Sequence, residues 1–258
     1  MIDCVVMAGG VPEAEDLLYQ YTQGHPKALI ELVGKPMVQW VLDALDQAPS
    51  VAQMIVVGLE PDSGIAASKL TACVPDRGSM LSNAIAGVEK AVALNPDAEQ
   101  LLLCSADIPL LTPEMVETLI SLCPDAGVDL YHSVVSRACM ESGFPESRRT
   151  YAKFVDGEYA ACDIHIIAPR IIDKNRDLWT ALMSNRKNVI KQALNLGPGF
   201  LIKYAAGRVS LDALERKVLD KMGINARVLP VDTPEMGMDA DKPFQLEICR
   251  QELAKRVV

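Results

Sequence analysis

Three short runs, Val5-Val6-Met7-Ala8, Met54-Ile55-Val56-Val57 and Leu101-Leu102-Leu103-Cys104, are apolar at every position. A strand with one wet face alternates apolar and polar residues. A strand that is apolar throughout is covered on both faces. Helical patterns lie between these runs. Val38, Val41, Leu42 and Leu45 share one face, and Pro36 sits near the start of that pattern, where proline is tolerated. Ser79 to Leu94 predicts a second helix, with Leu81, Ile85, Val88 and Val92 on one side. Thr112-Pro113-Glu114 opens a third: threonine caps, proline takes the first position and the acid faces the positive end. Leu130 to Val135 reads as the next strand. Strand and helix alternate, so the first half predicts a mainly parallel sheet with helices on both faces.

The second half changes style. Tyr151 to Val155, Asp156-Gly157, then Tyr159 to Ile167 reads as a β-hairpin. Helical patterns follow at 176–195 and 210–222, then a strand at Ala226 to Val231 and a helix from Phe244 to Lys255. No Gly/Ser-rich or Pro-rich linker and no repeat divides the chain. Residues 1–258 therefore read as one domain.

Composition narrows the function. The net charge of −9 disfavours a generally basic nucleic-acid binder, although a local basic patch stays open. No apolar run reaches the ~18 residues that span a bilayer. Seven cysteines, scattered and without a C-x-x-C pair, predict a reducing, cytoplasmic setting with neither disulfides nor a zinc cluster. His132 and His165 fall in strand patterns and read as packing residues. Cys162 reads as buried, and Trp40 and Trp179 as core or interface anchors.

Ligands of open parallel sheets bind beyond the carboxyl ends of the strands. Two features stand there. Ala8-Gly9-Gly10 follows the first strand, and a glycine turn lets backbone N–H groups approach phosphate oxygens. Lys27, downstream, is able to neutralise charge at a phosphorus centre. A plain tight turn explains the glycines equally well. Neither G-x-x-x-x-G-K-[ST] nor G-x-G-x-x-G is present. Asp107 stands just beyond the third apolar run, after Ser105 and Ala106, where a carboxylate suits Mg²⁺ shared with substrate phosphates; a turn residue is the alternative. Asp239 and Asp241 precede the last helix two residues apart, and in extended backbone they face opposite ways. Capping of that helix is the alternative.

Val6-Met7-Ala8-Gly9-Gly10, then Pro26-Lys27-Ala28-Leu29 through Gly34-Lys35-Pro36, resembles the opening of nucleotidyltransferases with the nucleotide-diphospho-sugar transferase fold. These are relatives of molybdenum cofactor guanylyltransferase. Asp107-Ile108-Pro109-Leu110-Leu111 and Asp239-Ala240-Asp241-Lys242-Pro243 are similar to two later family segments. The resemblance implies a three-layer α/β/α, Rossmann-like fold with a mixed, mainly parallel sheet. The nucleotide half would be about 1–125 and the acceptor half about 126–258. It implies that Ala8, Gly9 and Gly10 cradle a triphosphate and that Lys27 is catalytic. Asp107 would bind Mg²⁺, with Asp239 or Asp241 completing the site. Arg77, Gly78 and Ser79 fall in the segment that reads the base. Asp163, Arg186 and Lys187 are the acceptor candidates, although Arg186 and Lys187 suit a solvated helix face as well. The implied partners are a nucleoside triphosphate and a small phosphorylated acceptor, without nucleic acid or membrane; a homodimer is left open.

The chain departs from the family where a second Gly or Ser and an Arg are expected: it has Pro12 and Ala14. A fork-shaped phosphate donor is missing there. Arg77 and Lys187 are the replacement candidates. Two other readings follow: a catalytically impaired relative that binds a nucleotide or partner without turnover, and a dinucleotide-dependent dehydrogenase with Glu31 on the ribose.

Overall fold

The structure is a computed structural model that describes residues 1–173, Thr180 and 189–257. The three apolar runs form adjacent parallel strands: β1 (Ile2–Met7) lies between β4 (Val51–Val57) and β6 (Leu101–Ser105). The strand β5 (Leu70–Val74) extends the sheet in parallel beyond β4. Beyond β6 comes β10 (Ile164–Ile167), antiparallel to β6 and to its other neighbour β7 (Leu130–Ser136). The late strand β11 (Ala226–Val231) is parallel to β7. The hairpin β8 (Ala152–Phe154) and β9 (Gly157–Ala161) joins through β9, antiparallel to the end of β7. Among the described residues this makes one nine-stranded sheet. Glu31–Leu32 (β2) and Lys35–Pro36 (β3) form a separate two-stranded ribbon.

Both faces are covered, as the apolar runs require. Successive residues of a strand point to opposite sides. Cys4, Val6, Met54, Val56, Leu102 and Cys104 enter one core with helices α2 (Met37–Gln47), α4 (Pro113–Ser121) and α9 (Pro243–Val257). Val5, Ile55, Val57 and Leu101 enter a second core with α3 (Met80–Leu94) and α8 (Leu211–Met222). The α/β/α layering expected of the sequence is thus formed. Short helices α1 (Tyr19–Thr22), α5 (Arg137–Gly143), α6 (Val189–Asn195) and α7 (Pro198–Ala205) and the 3-10 turns Lys27–Leu29, Pro169–Asp173 and Pro234–Gly237 join these elements.

Helix starts follow their sequence signals. Thr112 caps α4, with Pro113 at its first turn, and Ser79 caps α3 through its side chain. The buried stripe of α3 differs from expectation. Asn83, Gly87, Val88 and Ala91 are buried, whereas Leu81 and Ile85 are half-buried. The reason is close packing: a Cβ at Gly87 would stand 2.4 Å from Val5 Cγ1, so the helix lies on β1 at this glycine. The expected helix at 176–195 is described at Thr180 and in α6; the rest, with Trp179, Arg186 and Lys187, lies outside the described residues. No helix among the described residues is long and apolar enough to cross a membrane.

Candidate active site

The chain leaves β1 through Ala8-Gly9-Gly10 at the carboxyl edge of the sheet. Ala8 N–H donates to Val57 O (2.8 Å), which ties the turn to β4. Gly9 then passes very close to Gly58: a Cβ at Gly58 would lie 2.1 Å from Gly9 Cα. On its other side a Cβ at Gly9 would meet Asn83 Nδ2 and Asp76 Oδ1. The segment expected to read a base is therefore packed against the glycine turn. Asn83 holds it there. Its Nδ2 donates to Asp76 Oδ1 (2.6 Å), and its Oδ1 accepts from Arg77 N–H (2.6 Å). Arg77, Gly78 and Ser79 are all exposed at this rim.

Lys27 N–H donates to Gly10 O (2.7 Å), bringing the lysine back to the turn. Its ammonium donates to Asp107 Oδ2 and to Asp241 Oδ1, each at 2.5 Å. Burial works against the charge on Lys27, but the two carboxylates outweigh it and hold its pKa above the ordinary lysine value. Asp107 follows β6. Its carbonyl accepts from Ala240 N–H (2.9 Å), so the backbone itself brings the late acidic segment to the sheet edge.

Asp239 faces away from Lys27 and pairs with Arg149, as the two-residue spacing foretold. Arg149 also donates to Ala161 O (2.9 Å) and lies 3.7 Å from Asp163 Oδ2. Gln245 Nε2 reaches Asp239 Oδ1 at 3.4 Å. Asp163 stands between β9 and β10, where its carbonyl accepts from Ser105 N–H (2.8 Å). Its side chain is 36% exposed, yet its Oδ2 is buried. Burial and the nearby Asp107 carboxylate raise the Asp163 pKa well above the usual carboxylate range. Burial also raises that of Asp239, against the opposing pull of Arg149.

Six residues from distant parts of the chain thus meet: Lys27, Asp107, Arg149, Asp163, Asp239 and Asp241. The sequence reading singled out five of them and missed Arg149. It also missed Gly58, Asp76 and Asn83. Asp163, expected on the acceptor side, stands beside the carboxylates expected to bind metal. Arg77 keeps to the rim, so among the described residues the cation seen to join the carboxylates besides Lys27 is Arg149.

Asp107 Oδ1 and Asp163 Oδ2 are buried and accept no hydrogen bond from the described residues. Such hard oxygen donors fit Mg²⁺, which takes one or two protein carboxylates and completes its shell with phosphate oxygens and water. Among the described residues no three His, Cys, Asp or Glu side chains form a cage of their own. An ion held partly by substrate phosphates needs none.

A glycine turn, a lysine and a set of carboxylates thus gather at this edge of a mixed sheet. A family model for the MobA-like NTP transferase domain matches residues 4–147. The chain belongs to that family. A hypothetical transferase from Thermus thermophilus has a similar structure, with 29% identity and a TM-score of 0.80 over 95% of this chain and 99% of that one. CMP:2-keto-3-deoxy-manno-octonic acid synthetase complexed with CTP shares the fold at 16% identity, with a TM-score of 0.60 over 99% of this chain and 100% of that one. The 4-diphosphocytidyl-2C-methyl-D-erythritol synthase of Anaerococcus prevotii DSM 20548 does so at 11% identity and 0.57, over 98% and 96% of the two chains. The bifunctional protein GlmU of Thermoanaerobacter pseudethanolicus (strain ATCC 33223 / 39E) is 30% identical over 97 residues, 38% of this chain. That match spans only 21% of GlmU. The dehydrogenase alternative falls with these findings. Its ribose acid, Glu31, lies on the small β2–β3 ribbon and not on the second strand of the parallel sheet.

Proposed function

We propose that this nucleotidyltransferase moves an NMP group from an NTP to a phosphate-bearing acceptor, with Mg²⁺ present and pyrophosphate released. The observation that carries this reading is the Lys27 ammonium between Asp107 and Asp241, beside the Gly9-Gly10 turn. A fixed cation at that place is poised to stabilise charge developing on a reacting phosphoryl group. An oxygen of the acceptor phosphate attacks the α-phosphorus. The bond from that phosphorus to the bridging oxygen breaks, and its electron pair leaves with pyrophosphate. The attacking phosphate is already an anion, so no general base is required. The protein's work is to position and to neutralise. Asp107 and Asp163 would hold Mg²⁺, which when bound supplies charge neutralisation at the α-phosphate.

A cavity of about 360 Å³ adjoins Arg149 and is lined by Arg137, Arg148, Ser147 and Tyr151 as well. Arg148 has no ion pair among the described residues and lies over the Phe244 ring at 5.3 Å. Glu141 also lines the cavity and pairs with Arg137, which pairs with Glu158 as well, and Arg149 pairs with Asp239, so Arg148 is the guanidinium best placed to take the phosphate of the acceptor. The seven unpaired cysteines support a reducing, cytoplasmic setting.

A thermal-shift series with the four ribonucleoside triphosphates, with and without Mg²⁺, tests nucleotide binding, because a ligand of the folded state raises the melting temperature. One triphosphate should raise it only with Mg²⁺, and Asp107→Ala should remove the shift. Pyrophosphate release with candidate phosphorylated acceptors then tests turnover. No shift with any triphosphate at millimolar concentration would sink the proposal. A second reading, a relative that binds without turnover, is motivated by the loop from Pro12 to Asp16. There Asp16 N–H donates to Glu13 O (2.9 Å), and Ala14 stands where the family has its arginine. Nucleotide binding without pyrophosphate release from any acceptor would favour it.

A further inference from the structure

The groove between α7 and α8 is open and strongly cationic, and the proposed reaction makes no use of it. On α8, Ala213, Arg216, Lys217, Asp220 and Lys221 recur at helical spacings of three and four and so share one face. A helix face turned toward a neighbour is ordinarily apolar. Here it opens onto a space of about 600 Å³. Lys203 from α7 and Arg208 from the connecting loop complete a lining of five cations and one carboxylate, Asp220. Lys203, Arg208, Arg216 and Lys217 have no ion pair among the described residues. Glu215 of the same helix is used elsewhere: it pairs with Arg227 and accepts from Val228 N–H. Asp220 is the one carboxylate in this lining, so the four cations without an ion pair among the described residues repel one another, and a bound anion relieves that repulsion. The chain as a whole carries −9, so general surface charge does not explain the patch. Phe200 and Val209 add an apolar part to the lining.

We propose that this groove is a second ligand site for a small polyphosphorylated molecule of nucleotide size. Its volume suits a small molecule. Cations from two helices and a loop surround a concavity, which fits a compact polyanion better than an extended strand. The apolar part at Phe200 gives a non-phosphate body a place to rest.

The test is calorimetric titration of inorganic triphosphate, without divalent cation. In a Lys27→Ala background, where the active-site cation is gone, one equivalent should still bind, more weakly as salt rises. Adding Arg208→Ser and Arg216→Ser should weaken it about tenfold, as expected for losing two exposed charge contacts. Both arginines are exposed, so the fold should tolerate these changes. With Lys27 intact and divalent cation still absent, the double arginine variant should show the same tenfold weakening of the groove event, so the test survives even if Lys27→Ala fails to fold. No binding in Lys27→Ala, or an unchanged affinity in the arginine variant, overturns the groove site and leaves the reaction proposal intact. Binding of an oligonucleotide or of phosphatidylglycerol vesicles in place of triphosphate also overturns it. The exposed Ile202 and Leu219 make the vesicle arm necessary.

Discussion

Three glycines at the ligand edge should respond very differently to one added methyl group. Gly58 has φ +98°, and a Cβ there would lie 2.1 Å from Gly9 Cα and 2.2 Å from Gly9 N. Neither atom is the flexible end of a side chain, so β1 or β4 must move. Left-handed backbone costs a non-glycine residue about 1–2 kcal/mol, and overpacking adds about 1–3 kcal/mol. Gly58→Ala should therefore destabilise by about 2–5 kcal/mol. At Gly9 the new Cβ would stand 2.5 Å from Asn83 Nδ2 and 2.7 Å from Asp76 Oδ1. These are side chains and can yield, at a cost of about 1–3 kcal/mol. Their yielding breaks the contact that holds the Asp76–Asn83 segment, so nucleotide affinity should fall with stability. A Cβ at Gly10 meets nothing within 4 Å, so Gly10→Ala should stay within about 0.5 kcal/mol of the parent. Urea unfolding at constant m-value reads the series directly. A Gly10→Ala protein as unstable as Gly58→Ala would refute the argument, because the ranking rests only on what each Cβ would touch.

Two further perturbations probe the charges. Lys27→Met leaves Asp107 and Asp241 facing each other without their cation, and should cost about 2–4 kcal/mol. Mg²⁺ should then raise the melting temperature of the variant more than that of the parent; an equal rise would mean the carboxylates do not take up the ion. His132 and His165 stack at 4.5 Å, and His165 Nδ1 lies 3.2 Å from Ser133 N–H, from which it accepts, so that nitrogen is unprotonated in the fold. Burial pushes the His132 pKa down to about 4. The unfolded chain then binds protons first, and stability falls as pH drops from about 6.5 toward 4. The expected loss is about 2 kcal/mol between pH 7 and 4.5, read by urea unfolding, and His132→Gln should flatten the slope.

What the sequence made legible was what repeats locally. Runs apolar on both faces announced a covered sheet, and two of its ligand-edge residues lie just past such runs, Gly9 directly and Asp107 after Ser105 and Ala106. Thr112-Pro113-Glu114 announced a helix start by capping chemistry alone. The last acidic pair was legible because alternate residues of extended backbone diverge, and Asp239 and Asp241 do turn to different cations. Arg149 was not legible. It lies in the irregular stretch after α5, with neither periodicity nor a glycine to mark it. Its partner Asp239 is 90 residues away. Gly58 and Asn83 were hidden for a related reason. Their importance comes from the close approach of the Gly9 turn to Gly58 after β4 and to Asn83 on α3, and no single segment encodes those distances. The buried stripe of α3 was misplaced because Gly87 carries no apolar side chain to count, yet its missing Cβ is what lets the helix reach Val5.

The same cluster explains how an acidic chain can take an anionic substrate, and it sets a condition on doing so. Each active-site cation is already engaged, Lys27 by Asp107 and Asp241 and Arg149 by Asp239. A triphosphate arriving alone must compete with these carboxylates and leave them without a counter-charge in a largely buried place, which is costly. On the proposed reaction a divalent cation would remove the conflict, because the carboxylates would gain a new partner and Lys27 would be released to phosphate. NTP and Mg²⁺ should therefore bind with positive coupling, each raising the other's affinity by the same factor. We expect that factor to be about tenfold or more, corresponding to about 1.4 kcal/mol. Asp107→Asn lowers the competition and the metal affinity together, so it should shrink the coupling while leaving some metal-free NTP binding. Titrations of NTP at zero and saturating Mg²⁺, on parent and variant, measure all four affinities. Equal NTP affinity with and without Mg²⁺ in the parent would show that Lys27 is available to phosphate despite its two carboxylates, and the electrostatic argument would then be wrong.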